Sequence, residues 1–282
     1  MKEASFYEKQ NNGFVVCSLC PHGCSIAPDG VGLCGVRRNT RGALFAENYG
    51  RISSLALDPI EKKPLSRFYP GSMILSAGSY GCNMKCPYCQ NHAISQQKPQ
   101  TKLALPEELL RLAKETPGNI GMAFTYNEPL IGIEYILDAA PLFRDAGLKV
   151  VLVTNGMINA APLKALLSHT DAMNIDVKAF NSAKYKKLGG DLQAVMKTVE
   201  KSAAACHVEI TSLIVPGQND TVEDIRGLAE WLAGISPEIP LHISRFFPRY
   251  MMSGGKPASV ETMKTLAESA QLFLKYVYLG NV

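Results

Sequence analysis

The chain has 282 residues, 46% of them hydrophobic and 19% charged, with a formal net charge of +4. That length can bury one large core, and its scattered basic residues (Arg37-Arg38, Lys62-Lys63, Lys184 to Lys187) describe a solvated surface and not a nucleic-acid face. No apolar run reaches the ~18 residues of a membrane helix and the first ten residues lack the apolar core of a secretory leader, so a cytoplasmic protein with neither membrane nor nucleic-acid partner is expected.

In chain order, residues 1–66 are rich in loops and turns such as PDGVG, and carry Cys17, Cys20, Cys24 and Cys34 in a C-x2-C-x3-C-x9-C pattern. Four thiolates form a closed set, suited to structural zinc or to a saturated iron–sulfur cluster, and both remain open at this point. His22, in the same stretch, reads as a turn histidine bonded to backbone. We take 1–66 as a small cysteine-rich, metal-binding N-terminal appendage and 67–282 as the main domain.

From about residue 70 onward, β-type runs alternate with helical stretches. MILSAGSY leads into a cysteine loop, IGMAFTY precedes a helix through PLIGIEYILDAAPLFRDAG, and KVVLVTNG precedes APLKALLSHT. AMNIDVKAF, HVEITSLIVPG and LHISRFF are each followed by a helical pattern, and YVYLGNV ends the chain. Six βα units and a last strand of near-continuous aliphatic runs predict an α/β fold with a parallel sheet covered on both faces. No GxGxxG or GxxxxGK[ST] follows the first strand, and polar residues collect at several strand ends: Thr125 to Glu128, Thr154-Asn155, Asp176 to Lys178, Ser244-Arg245. Sites assembled from many strand ends are the habit of barrels, so a partial (β/α)6 TIM-type barrel is expected.

The loop after the first of these strands reads GCNMKCPYCQN and places Cys82, Cys86 and Cys89 in a C-x3-C-x2-C run. Disulfides would be odd in such a chain, and short clustered spacings suit metal thiolates. Structural zinc and ordinary electron-transfer clusters are closed by a fourth protein ligand. Three cysteines around four irons leave one iron open, a place for a substrate or cofactor. The eighth cysteine, Cys206, stands alone and reads as a small buried hydrophobe.

With an aromatic residue before its last cysteine, this run resembles the signature of radical S-adenosylmethionine (SAM) enzymes, and the resemblance extends over roughly residues 65–282. It implies a [4Fe-4S] cluster on Cys82, Cys86 and Cys89 whose open iron chelates SAM. One electron from that cluster then yields a 5′-deoxyadenosyl radical that abstracts hydrogen. Tyr88 takes the aromatic position, packed near the adenine. Tyr126-Asn127-Glu128-Pro129 is similar to the Gly-Gly-Glu-Pro segment that meets the SAM amino group in activating enzymes of glycyl radical enzymes. Asp176-Val177-Lys178 resembles their Asp-Leu-Lys, whose lysine meets the SAM carboxylate, and Thr154-Asn155-Gly156 resembles a segment near the nucleoside. Val215-Pro216-Gly217 matches an activase turn, while Thr211 replaces an arginine of some activases and Phe247 an expected histidine. FYPGS, TYNEP, VTNGM, NIDVKAF, HISRF and YVYLGNV look closest to the radical SAM partner of the AmmeMemoRadiSam system, a pyruvate formate-lyase activating enzyme-like subgroup.

The resemblance implies an oxidoreductase served by an electron donor such as a flavodoxin or ferredoxin, with a protein as first-choice substrate. The alternatives are chemistry on a small molecule or on a component encoded alongside the enzyme, and an iron–sulfur electron-transfer module without SAM. Outside the resemblance, an ordinary helix-start acid is the plain alternative for Glu128, and a structural salt bridge for Lys178 with Asp176.

Overall fold

A computed structural model describes residues 1–282. Its centre is an eight-stranded sheet running in sequence order from Ser54–Pro59 (β1) at one edge through Met73–Gly78 (β2), Asn119–Phe124 (β3) and Lys149–Thr154 (β4). Ala172–Asp176 (β5), His207–Ile214 (β6), Leu241–Arg245 (β7) and Val277–Gly280 (β8) complete it. Strands β2 to β8 are parallel neighbours, and β8 does not pair with β1, so the barrel is partial. The six expected βα units and last strand are all present.

The edge strand β1 is the departure from expectation. It pairs antiparallel with β2, from Ser54↔Gly78 to Pro59↔Met73, so the composition-based boundary at residue 66 cuts between a strand and its sheet partner. SLALDP did not stand out because β1 has only one neighbour. It leaves Leu55 and Leu57 exposed, unlike the buried runs of the central strands.

Successive strand residues face opposite sides of the sheet. Leu75, Phe124, Leu152 and Ile175 belong to the main core with the helices, which also takes in Val15, Val36 and Leu44 from the N-terminal segment. Ile74, Ala123, Val151 and Ala172 form a smaller cluster with Ile60, Leu65 and Phe68, which close the barrel's lower end. A buried ion pair fixes the N-terminal segment to the barrel. Arg37 donates through Nη2 to both Glu134 carboxylate oxygens at 2.8 Å, and through Nε to the Ile131 carbonyl at 3.3 Å. Both side chains are almost wholly buried, so losing one partner would cost about 3–5 kcal/mol.

Candidate active site

The cysteine loop leaves β2 at the C-terminal end of the sheet, where the neighbouring strands also finish. Its backbone is held from several sides. Asn127 accepts from Ser79 N at 2.9 Å and donates to the Gly81 carbonyl at 3.1 Å. Lys85 N donates to the Leu188 carbonyl, Asn91 to the Tyr126 carbonyl, and Met251 N to the Pro87 carbonyl. Asn127 therefore serves the loop backbone, a positioning task for a residue expected at the cofactor. The sulfurs have polar neighbours too. Met84 N lies 3.4 Å and Asn155 Nδ2 3.6 Å from Cys82 Sγ, and the Ser95 hydroxyl lies 3.2 Å from Cys89 Sγ.

Glu128, at the end of β3, is buried and starts the short 3-10 turn Pro129–Gly132. Its Oε1 accepts from Leu130 N at 3.0 Å and from the Thr154 hydroxyl at 2.6 Å, and its Oε2 accepts from Asn155 N at 2.8 Å. The helix-start role read from sequence is thus present, yet it does not exhaust the group. A carboxylate offers about four acceptor positions, so one on Oε2 stays open for an ammonium. Burial pushes the carboxyl up to about 7 against these donors and the field of Lys178. Such a group gains from a cation placed beside it.

Lys178 donates to Asp176 Oδ2 at 2.6 Å, which is the salt bridge anticipated from the pattern. Burial opposes its charge, but the fields of Asp176, Cys86 and Tyr88 prevail and hold it well above the ordinary lysine value. An ammonium has three donors, so Lys178 retains donors beyond that bridge. Tyr88 is buried and meets Phe246 edge-on, with ring centroids 6.4 Å apart. Thr154 and Asn155 tie the end of β4 both to Glu128 and, through Asn155 Nδ2 to Asn83 Oδ1 at 2.9 Å, to the cysteine loop.

Tyr126 gives the segment before Glu128 an uncommon backbone. It sits at φ +70°, the left-handed region that glycine enters freely and tyrosine rarely does. Its hydroxyl donates to Asp58 at 2.6 Å, and Lys63 Nζ lies 4.6 Å above its ring. These contacts hold a backbone that would otherwise be strained by roughly 1–3 kcal/mol.

Sequence reasoning missed two neighbours. Ser95, on the short helix His92–Ser95, is buried against Cys89. Tyr185 is buried under Asp176 and Lys178, its hydroxyl 3.4 Å from both the Asp176 carbonyl and Lys178 N. The only sequence signal for Ser95 was its place six residues beyond Cys89, one helical turn into the next element.

Cys17, Cys20, Cys24 and Cys34 line one cavity together with His22, Arg37 and Asn83. His22 Nε2 lies 2.7 Å from the Asn83 carbonyl, the backbone contact read for it from sequence. Burial pushes Cys20 up to about 11 and raises Cys17 and Cys34, and a bound metal would favour their thiolate forms. Nowhere do three His, Cys, Asp or Glu side chains converge as a single ion requires. Cys206 joins neither set, and burial pushes its thiol up to about 12.

Residues 77–232 match the family model of the Radical SAM superfamily. The chain belongs to that superfamily. An uncharacterised protein of Methanocaldococcus jannaschii is 40% identical over the whole of this chain and 86% of its own length. The pyruvate formate-lyase-activating enzyme of Clostridium pasteurianum is 28% identical over 55% of this chain and 67% of its own. Among solved structures, a domain of that kind of enzyme from Bacteroides vulgatus superposes with a TM-score of 0.50 at 19% identity, covering 57% of this chain and 99% of that one. Streptococcus suis SuiB bound to S-adenosylmethionine gives 0.57 at 13% identity, over 71% of this chain and 48% of that one. Both structural likenesses show the partial-barrel fold. Superfamily membership implies a [4Fe-4S] cluster and SAM. The residues present fit both: three thiols on one loop, an open carboxylate position on Glu128, and unspent donors on Lys178.

Proposed function

We propose that this enzyme holds a site-differentiated [4Fe-4S] cluster on Cys82, Cys86 and Cys89 and uses it to cleave SAM and abstract hydrogen from a protein substrate. The observation that supports this most is the meeting of the cysteine loop, Glu128 and Lys178 at one end of one barrel. A cluster held there would supply, when reduced, the electron for SAM cleavage. Glu128 accepts from the SAM ammonium through its open Oε2 position. Lys178, steadied by Asp176, meets the carboxylate, and Tyr88 lies by the adenine. Thr154 and Asn155 keep Glu128 and the loop in register.

The electron comes from a flavodoxin- or ferredoxin-type donor, and the enzyme works in the cytoplasm. No helix is long and apolar enough to cross a membrane. A protein substrate draws support from the activating enzymes among its relatives. A small-molecule substrate is the second reading, favoured by the 7-carboxy-7-deazaguanine synthase of Geobacter sulfurreducens, 25% identical over 66% of this chain and 79% of its own.

The test mixes reduced, anaerobically reconstituted enzyme with SAM and an extract of source cells grown on Cα-deuterated glycine. A protein with Cys82, Cys86 and Cys89 all replaced by alanine is the control. Deuterium in the 5′-deoxyadenosine is the expected result for abstraction from a glycine. Unlabelled product above the control would keep the SAM cleavage and exclude a glycine Cα as the source of the hydrogen.

A further inference from the structure

The four-thiol cavity and the three-thiol loop come from opposite ends of the sequence's first hundred residues, yet they touch. Gly81, one residue before Cys82, sits at φ +87°, and a Cβ there would lie 2.7 Å from the Cys34 carbonyl oxygen and 2.6 Å from Val36 Cγ1. Only glycine lets the two loops pack this closely. Asn83, one residue after Cys82, lines the N-terminal cavity beside Cys20. Its Oδ1 accepts from Asn155 at 2.9 Å, and the same Asn155 amide reaches Cys82 Sγ at 3.6 Å. Asn83 therefore lines the four-thiol cavity while standing next in sequence to Cys82 and sharing Asn155 with its sulfur. The Arg37–Glu134 pair, whose arginine also lines the cavity, clamps the two parts together.

Cys17, Cys20, Cys24 and Cys34 line one cavity, and four thiolates are a closed set for zinc or for an iron–sulfur cluster. What favours iron and sulfide is that this cavity adjoins the Cys82, Cys86 and Cys89 loop, in a chain whose superfamily implies a four-iron cluster.

We infer that Cys17, Cys20, Cys24 and Cys34 hold a second iron–sulfur cluster, and that it passes electrons to the SAM-binding cluster across the Gly81 and Asn83 contact. This rests on the reading of Cys82, Cys86 and Cys89 given above. The step moves one electron and no atoms. A one-electron carrier protein of the flavodoxin or ferredoxin class reduces the N-terminal cluster. That cluster returns to its oxidised level as the SAM-binding cluster is reduced.

The test uses full-length protein reconstituted anaerobically with iron and sulfide, with zinc also present. The Cys82/Cys86/Cys89 triple-alanine variant should keep about four irons and four sulfides per chain. Finding about one zinc and no sulfide there would overturn the second cluster. Fully reduced wild-type protein should give an EPR spectrum that differs from the sum of the triple variant and Cys17→Ser, because two paramagnets in adjoining loops split one another. A simple sum would overturn the contact.

For the relay, a reduced carrier protein should drive 5′-deoxyadenosine formation at least tenfold more slowly in Cys17→Ser than in wild type. A small photoreductant, which reaches the SAM-binding cluster directly, should drive both equally. Equal rates with the carrier would overturn the relay. Should Cys17→Ser fail to fold, Asn83→Ala keeps every thiol and should show the same split between carrier and photoreductant. Failure of the radical SAM reading looks different: no variant, nor the wild type, would change its EPR signal on adding SAM.

Discussion

At the C-terminal end of the barrel Glu128 accepts three hydrogen bonds and keeps one position open, whereas at the N-terminal end Glu209 accepts four. Glu209 takes Ser66 N, Arg67 N, His207 Nε2 and His242 Nε2 at 2.6–3.0 Å. Both carboxylates are buried, and burial alone would raise both. The full set of donors outweighs burial at Glu209 and holds it down to about 2, while Glu128 is left at about 7. A satisfied buried charge fastens the loop at Pro64–Arg67 under the barrel. A partly satisfied one waits for a ligand. The contrast follows the division of labour in (β/α) barrels, with stability at the bottom and chemistry at the top.

The sharpest way to break this contrast is at the cysteine loop. Cys86→Ala should abolish 5′-deoxyadenosine formation while leaving the thermal melt of the apoprotein nearly unchanged. Surviving SAM cleavage would remove the loop from the chemistry altogether.

Glu209→Gln should do the reverse. A shift from the ordinary 4.5 to about 2 corresponds to about 3 kcal/mol of folding stability at neutral pH. The sign follows from the lowered folded value: the contribution is present above about 4.5 and disappears as pH falls through about 2. Wild type and Glu209→Gln should therefore differ by about that amount in urea unfolding at pH 7 and converge as the pH falls through that window. A constant gap would mean that the histidines, not the carboxylate's charge, carry the effect. SAM affinity should not move in this variant.

Lys178→Ala comes next in size. It removes a charged donor to the SAM carboxylate while keeping all seven clustered cysteines, and should weaken SAM binding by about 10- to 100-fold. Isothermal titration of SAM into the reconstituted enzyme reads this directly. An unchanged affinity would make the Asp176–Lys178 pair a structural bridge, and the top of the barrel would then resemble the bottom.

The sequence made the strand ends legible because parallel strands buried on both faces read as aliphatic runs, and because the thiol spacing has few uses. It made Glu209 illegible. One acid in HVEITSLI has only His207 beside it until β7 brings His242 and the 64–67 turn delivers two N–H groups. Asn83 and Ser95 were silent for a similar reason: small polar residues in a loop gain meaning only from what the fold sets against them. Tyr126 was legible as a departure from the activase glycine, but the support that lets it adopt φ +70° comes from Asp58 and Lys63, well before it in sequence. The edge strand β1 has one neighbour, so its pattern is diluted by exposed leucines.

Ser95 offers the finest adjustment at the top of the barrel. Its hydroxyl is buried 3.2 Å from Cys89 Sγ, and Gln96 Nε2 donates to Ser95 Oγ at 3.3 Å. With the amide occupying an acceptor position, the hydroxyl proton is free to point at the sulfur. A donor to a cluster sulfur favours the more negative, reduced cluster and so raises its potential. Ser95→Ala should keep the iron content and lower the potential in an EPR-monitored redox titration, with SAM affinity unchanged. It should also slow SAM cleavage by weak reductants more than by strong ones. An unaltered potential would assign the hydroxyl's proton to another acceptor and leave Ser95 as packing beneath the loop.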